Sequence, residues 1–447
     1  MAPPGWVGLV KICLTLRPLV FKFFQFWLSF LPLFFPLYLV RFEVGGVPTT
    51  LLEILVGLTA LFSLTFLRCG KIKIWVKDQL GIGWKNPLWF VCLFLIAATI
   101  SVLIVPKETL DIDGNVVQTA RVAQGIWKAW IFMPLVYFGM IYVIPRDKAW
   151  WTRTLQMLGF SGLILAFWAL WQMITGHYVT MDGRASGPFV SANYLALYLG
   201  PIVFLGIILV IEHWRREKRI SRLVFPQIIG LGLMLLALWG TQSYASFIAL
   251  GAGLISYALG HPGISRNLKL KAGLLVIFFV MIFVGTQANT LKFKQFLNFE
   301  ERTSSSVRIE VYKVALGLIK EHPILGIGLG QFETQYQLNA PLILEHAPYE
   351  WVMLHPHNLF LAFWLNTGLL GVLAMSWLVL IVFIKKLVCY RIGVLKQKAH
   401  FPFGLMGLAV LVMILVHGFF DVPFWKNDLA YSWWLVLGIN FLTYNHQ

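Results

Sequence analysis

Residues 355–386 read HPHNLFLAFWLNTGLLGVLAMSWLVLIVFIKK. From Asn358 to Ile384 no side chain is charged, and Lys385 and Lys386 follow at once. A bilayer core is about 30 Å thick and is crossed by ~20 apolar residues in a helix. This run therefore crosses it, with a basic end on one side and His355 and His357 on the other. Comparable runs lie near residues 20–40, 50–67, 88–106, 126–144, 155–174, 190–211, 226–241, 243–259, 270–286, 403–420 and 429–445. The sequence thus predicts an all-α integral membrane protein of about twelve spans forming one membrane domain over residues 1–447.

Composition agrees. The chain is 59% hydrophobic and 12% charged, against roughly 45–50% apolar and ~25% charged in soluble domains. The net charge of +17 does not predict nucleic-acid binding, because the basic residues are sorted by topology. With a cytoplasmic N-terminus, 24 of the 36 Lys and Arg fall inside. The loops holding Arg68, Lys71, Lys73, Lys77 and Lys85, Arg215 to Arg222, and Lys385 to Lys398 dominate. This positive-inside pattern places both termini in the cytoplasm. Cys13, Cys69, Cys92 and Cys389 fall on or near that side, so no extracytoplasmic disulfide is expected. The first residues predict no removable signal peptide.

One connection is long: residues 287–356 lie outside, between the ninth and tenth spans. Val307, Val311, Val314 and Leu318 recur at helical spacing after Ser304, Ser305 and Ser306, which can cap a helix over about 306–320. His322-Pro323 ends it, Gly326, Gly328 and Gly330 make a flexible turn, and Pro341, Pro348 and Pro356 break the remainder. The glycines in HPILGIGLGQF do not form a dinucleotide fingerprint, which follows a strand and opens a helix.

Candidate site residues lie at the outer boundary, where an unpaired charge is costly. Arg184 precedes the sixth span in GRASGPFVSANYLA, with Asn193 and Tyr194 close behind; an interfacial arginine also snorkels to lipid phosphate. Arg308 falls early in the loop helix, where a solvated face is the plainer reading. His355 and His357 could be half a metal site, but no third ligand has a recognisable spacing, and no metal or cofactor is expected. His357 could instead be a general base, or merely cap the tenth helix, with Asn358 beside it. Asp421, near His417, could orient a histidine or a sugar hydroxyl. Glu53 is the one carboxylate placed within a span.

Three segments together resemble the O-antigen ligase and polymerase superfamily, membrane glycosyltransferases that act on undecaprenyl-diphosphate-linked glycans. The ligase pattern of His, then Asn, Ser or Gln, nine residues, Gly, two residues and then Gly, Thr or Tyr is met by His357, Asn358, Gly368 and Gly371. SSVRIEVYKVALGLIKEHPILGIGLGQF is similar to the family's loop, with Arg308 at the position of its loop arginine. The stretch around Arg184 and Asn193 resembles a third family segment, with Ala192 where proline is frequent. Many members carry an arginine after a serine at the start of the eighth span, where this chain has Ser243 and Tyr244. The resemblance spans roughly residues 180–425, and the N-terminal third agrees only in hydropathy.

It implies a multi-spanning, GT-C-like glycosyltransferase of the bacterial cytoplasmic membrane, with its site facing the periplasm or exterior. Glycan would pass from an undecaprenyl-diphosphate donor to an acceptor, with lipid A-core first among acceptors, in a metal-independent, inverting step. His357 would be the general base, Arg308 and Arg184 with Tyr244 would bind the donor diphosphate, and Asn358, Asp421, Asn193 and His355 would position the acceptor or the histidine. Membrane lipid is the other partner and nucleic acid is not one. The alternatives are a polymerase of lipid-linked repeat units, a protein O-oligosaccharyltransferase and, in another class, a transporter of lipid-linked sugars. Internal repeats and mid-membrane charges would mark the transporter.

Overall fold

The computed structural model describes residues 20–45, 47–65, 86–144, 147–180, 182–219, 222, 224–287, 303–396 and 403–442. Cys13, the basic stretch from Arg68 to Lys85 with Cys69, residues 288–302 of the long loop and Lys398 lie outside the described residues, as do the side chains of Lys386, Cys389, Arg391 and Lys396.

Helix accounts for 75% of the structure, and among the described residues strands form only two antiparallel hairpins. These are β1 (Arg41–Val44) with β2 (Val47–Thr50) and β3 (Thr109–Leu110) with β4 (Val116–Val117). Along the chain the apolar helices are α1 (Val20–Leu39), α2 (Leu51–Leu64), α3 (Pro87–Leu103), α4 (Thr119–Val143), α5 (Lys148–Thr175), α6 (Ala192–Glu217), α7 (Phe225–Gly240) and α8 (Tyr244–Gly260). They continue with α9 (Arg266–Gln287) and, beyond the long loop, α12 (Leu359–Lys396), α13 (Phe403–His417) and α14 (Asn427–Leu442). Each of the expected apolar runs falls on one of these helices. Five of them, α1, α4, α5, α6 and the first 27 residues of α12, are long and apolar enough to cross a membrane. Among the described residues five helices thus meet that length, and the expected count of about twelve spans is not confirmed; α2, α3, α7, α8 and α13 have only 10–17 residues. At 1.5 Å per residue such helices cover about 15–26 Å, short of the ~30 Å core.

Lipid is the solvent of the outer faces. On α5, Phe160, Ile164, Phe167, Trp168 and Trp171 recur at helical spacing and are all at least half exposed, while Leu158, Leu165, Ala166 and Ala169 on the other face are buried. Apolar residues on both faces mark a helix with lipid on one side and protein on the other. Helices approach closely where a residue is small: Gly253 of α8 faces Phe204 and Met413, and Gly407 of α13 faces Ile439 and Asn440.

Glu53 does not lie in the middle of its helix. It sits in the first turn of α2, where Thr50 caps the helix, and its carboxylate pairs with Lys128 at 2.9 Å. Lys128 lies on a π-helical turn of α4 (Trp127–Phe132) and also donates to the Pro48 carbonyl. The acid is therefore a paired residue at a helix terminus.

The long connection folds into α10 (Ser304–Glu321) and α11 (Phe332–Leu344). The expected helix is present, but its cap is Thr303: the Thr303 hydroxyl accepts from the Ser306 amide, and the Ser306 hydroxyl accepts from the Thr303 amide. Val311, Val314 and Leu318 are fully buried against Phe332, Tyr336 and Leu365, with Val307 half-buried at the edge. Pro341 does not break the chain as expected. It lies inside α11 near its C-terminal end, where few later amides depend on the turn it disturbs. Glu310, also buried, accepts from the Tyr349 amide and so ties the strap after α11 to α10.

The glycines after Pro323 form a fixed turn rather than a flexible one. Ile327 N donates to Leu365 O, Leu369 N to Ile324 O, and Gly330 N to the Asn366 side chain. Backbone meets backbone here: a Cβ on Gly326 would strike the Trp364 and Leu365 carbonyls, and one on Gly368 would strike the backbone of Ile324 and Leu325. Gly368 has φ +65° and ψ −172° and breaks α12, a conformation essentially confined to glycine. Gly368→Ala should therefore cost about 3 kcal/mol or more, from backbone strain plus collision. Thermal unfolding in detergent should show the loss, whereas Gly139→Ala, with open space around it, should leave the midpoint unchanged.

Candidate active site

The start of α12, the loop after α13 and the first turns of α10 meet at one point. Asn358 caps α12, its side-chain oxygen accepting from the amides of Phe360 and Leu361. The cap is thus Asn358 and not His357, which is freed to project from the preceding residue. His357 has φ +48°, a left-handed conformation that costs a non-glycine residue of order 1–3 kcal/mol and that accumulates at functional sites. Leu359 N donates to Gly418 O at 2.7 Å, which joins α12 to the end of α13.

That junction brings Asp421 under both histidines. Its Oδ1 lies 3.6 Å from His357 Nδ1 and 3.9 Å from His355 Nε2, and it accepts from the Val422 amide. The two imidazoles stand edge to face, 4.5 Å between centroids. Burial alone would raise the Asp421 carboxyl, but the neighbouring His357, with His355 and His417, outweighs it and holds Asp421 well below its ordinary value. His355 is pushed down to about 3, first by burial and then by His357, with Asp421 opposing and Lys426 and Arg308 adding to the shift. The site at neutral pH therefore contains an ionised aspartate and a neutral His355. His417, at the end of α13, is buried beside them, and its carbonyl accepts from the Asp421 amide.

Tyr312 holds the parts together. Its hydroxyl lies 3.0 Å from the His357 carbonyl and 2.8 Å from the Phe419 carbonyl, and can donate to either. Arg308 is one turn earlier on α10 and half-buried, not on a solvated face. Its Nη1 reaches only the Ser304 carbonyl at 3.4 Å, and its Nε is buried without a hydrogen-bond partner. An unpaired buried guanidinium nitrogen is costly, so it fits a place kept for an anion.

Arg184 is differently placed. Its Nε pairs with Asp182 Oδ2 at 2.5 Å, and its Nη1 donates to the Asn193 side chain at 3.2 Å and to the Thr241 carbonyl at 3.4 Å. Its charge is thus largely spent on Asp182, which depresses that carboxyl despite partial burial. Tyr244 opens α8 three residues past Thr241 and is half-buried. Asn193 is the link from Arg184 to Tyr194, whose ring lies 6.0 Å from that of His355.

A metal is not excluded by composition. Asp421 supplies the third ligand that spacing did not reveal, and the three donor atoms lie within 4.8 Å of one another. Two imidazoles and a carboxylate suit a divalent ion. Donors around zinc at ~2.0–2.1 Å stand roughly 3.3 Å apart, tighter than this set, and the charges of Arg308 and Lys426 felt at His355 oppose a dication.

Sequence reasoning missed three parts. The bridging hydroxyl of Tyr312 and the pairing of Arg184 with Asp182 depend on side-chain direction. Lys426 also stands in the site, its ammonium 3.7 Å from the centroid of the Tyr194 ring and 4.4 Å from that of Phe189. Only the aromatic surroundings of residues 419–425 hinted at it.

The site is thus a histidine–aspartate pair with cations close by, at one helix boundary of a largely helical, apolar protein. Residues 229–376 match the family model described as O-antigen ligase. About a third of the chain is thus similar to the O-antigen ligase domain, a likeness that supports a membrane enzyme of the O-antigen ligase and polymerase type. The matched stretch contains Tyr244, Arg308, His355 and His357, and leaves Arg184, Asn193, Asp421 and Lys426 outside it. No curated protein matches the chain.

Two consequences can be measured. Tyr312→Phe should lower the turnover of the enzyme about tenfold while costing roughly 0.5–1.5 kcal/mol of stability, the worth of one hydrogen bond; activity and melting in one preparation check both. His355, neutral when folded until about pH 3, takes up a proton from pH 6.5 downward when unfolded. The unfolded state binds more protons across that window, so stability falls with acidification. His355→Gln should flatten the melting temperature between pH 6.5 and 4 relative to wild type.

Proposed function

We propose that the protein transfers a glycan from an undecaprenyl-diphosphate donor to an acceptor sugar outside the cytoplasmic membrane, with lipid A-core as the first acceptor. The observation that carries the reading is the pairing of His357 with Asp421 beside the unpaired Arg308. With the proton on Nδ1 facing Asp421, His357 presents a free Nε2 lone pair. Asp421, ionised throughout, then holds that tautomer and stabilises the imidazolium that forms.

The acceptor hydroxyl gives its proton to His357 Nε2 as its oxygen bonds to the anomeric carbon. The carbon–oxygen bond to phosphate breaks, and the lipid diphosphate leaves with the electron pair. One displacement inverts the anomeric centre. Arg308 matches the developing charge with a planar donor fork, and Arg184 assists from the α6 side. Asn358, Asn193 and His355 position the histidine or the acceptor, Tyr244 lines the donor side, and no metal takes part.

The chain is read as one domain of about twelve spans, the short helices being completed by their flanking residues. Residues 287–356 then lie over the outer surface and both termini in the cytoplasm. An apolar cavity of about 1130 Å³ between α6, α7, α8 and α9 supports a lateral path for the polyprenyl chain. Its lining includes Trp239 and Phe247, next to Thr241, whose carbonyl accepts from Arg184. Polymerisation of repeat units and glycosylation of a protein use the same donor and the same base, and differ in the acceptor.

Purified enzyme with lipid-linked glycan and each acceptor in turn tests this. His357→Ala should lower transfer about 10²–10⁴-fold and Arg308→Ala about 10²–10³-fold, at matched folded levels and with wild type indifferent to chelator. Undiminished transfer by His357→Ala removes the base. Loss of wild-type transfer on chelation, restored by a divalent ion, replaces the metal-free step.

A further inference from the structure

Lys426 follows the apolar loop between α13 and α14 and turns its side chain back towards the site. The ammonium lies 3.7 Å from the ring centroid of Tyr194, 4.4 Å from that of Phe189 and 5.4 Å from that of Tyr38. Three rings from two separate stretches of the chain surround it, and their negative faces attract a cation. Among the described residues no carboxylate stands within ion-pair distance of it. Asp428, Asp421 and Arg41 act on it only from further away, and burial draws its pKa down to about 8.

Two cations of the site are thus in opposite states. Arg184 is neutralised by Asp182 at 2.5 Å, whereas Lys426 is held rigidly with a charge that nothing in contact answers. They flank the same turn of α6: Asn193 accepts from Arg184, and the next residue, Tyr194, carries the lysine. His355 feels both Lys426 and Arg308, so these two charges act on it from different segments, a loop and α10. A preset cation without a counter-ion is a place for an anion, since its unmet charge is costly until an anion arrives.

We propose that Lys426 is a substrate-binding residue that takes a phosphate oxygen of the lipid diphosphate, completing with Arg308 a two-cation clamp on the leaving group. The inference rests on the transferase reading above. The ring faces attract the ammonium without accepting its N–H hydrogen bonds, so those donors remain for a charged acceptor such as a phosphate oxygen. The same chemistry would be met by a phosphate on the acceptor, and the test separates the two sources.

Lys426→Met keeps length and apolar packing and removes the charge; Lys426→Arg keeps the charge. The direct probe is a soluble short-chain polyprenyl diphosphate, measured by calorimetry in detergent, with the matching monophosphate and alcohol as controls. Lys426→Met should weaken diphosphate binding about 10–100-fold, the worth of a charge-assisted hydrogen bond. It should raise the KM for donor in parallel, with the KM for acceptor and the melting temperature unchanged. Lys426→Arg should restore most of the affinity.

Equal diphosphate binding by wild type and Lys426→Met overturns the proposal. So does a raised KM for acceptor alone, which assigns the lysine to an acceptor phosphate. A fall in melting temperature with no rescue by arginine makes it a packing residue. Wild-type transfer in the same preparations separates these outcomes from failure of the functional reading: if wild type transfers no glycan but binds the diphosphate through Lys426, the site stands and the reaction is another.

Discussion

The Tyr312 hydroxyl faces the backbone carbonyls of His357 and Phe419 at hydrogen-bond distance, and the arrangement of the site depends on that link. His357 precedes α12, Phe419 follows α13, and Tyr312 belongs to a helix of the long loop. Without it, the arginine one turn away would have no fixed distance to the histidine. The buried face of α10 then makes the link rigid, because Val311, Val314 and Leu318 seat the helix on Leu365 and α11. A few contacts of high sequence separation thus convert a surface connection into part of the chemistry.

Electrostatics divides the site into two. One part is a buried aspartate beneath two imidazoles, where mutual proximity outweighs the cost of burying a carboxylate. The other is a set of cations, Arg308 from α10 and Lys426 from the loop before α14, that face this anion without touching it. On the proposed reading, proton transfer and charge acceptance fall to groups on different segments. An ionised acid beside a base suits a proton that must move, and uncompensated cations suit a phosphate that must be held until it leaves.

The glycines of the His–Asn–Gly–Gly pattern have a mechanical reading. Gly368 sits where α12 breaks and where the turn after α10 presses its backbone against the helix, so a side chain there would expel the loop. The distance from His357 to Gly368 is that from the N-terminal end of α12 to this seat. The same pattern fixes the histidine at one end and the loop that carries Arg308 at the other.

Much of this architecture is legible in the amino-acid sequence alone. The uncharged runs place the helices, because lipid forces backbone polar groups to pair within a segment and leaves its outward face apolar. The valines of residues 307–318 place α10, since a helical period on an otherwise polar loop has only one use. The spacing from His357 to Gly371 falls on the start of α12 and its break at Gly368. Span lengths are not legible, because a helix's ends are set by caps such as Thr50 and Asn358 and by breaks such as Gly368. Pro341 misleads, as its effect depends on which turn of a helix it occupies. Asp421 as the partner of His357, Asp182 as the partner of Arg184 and the unanswered charge of Lys426 are decided only by the tertiary structure. Sequence pattern reports the solvent a segment meets; the pairing of charges far apart in the chain is decided by the packing of helices whose apolar faces look alike.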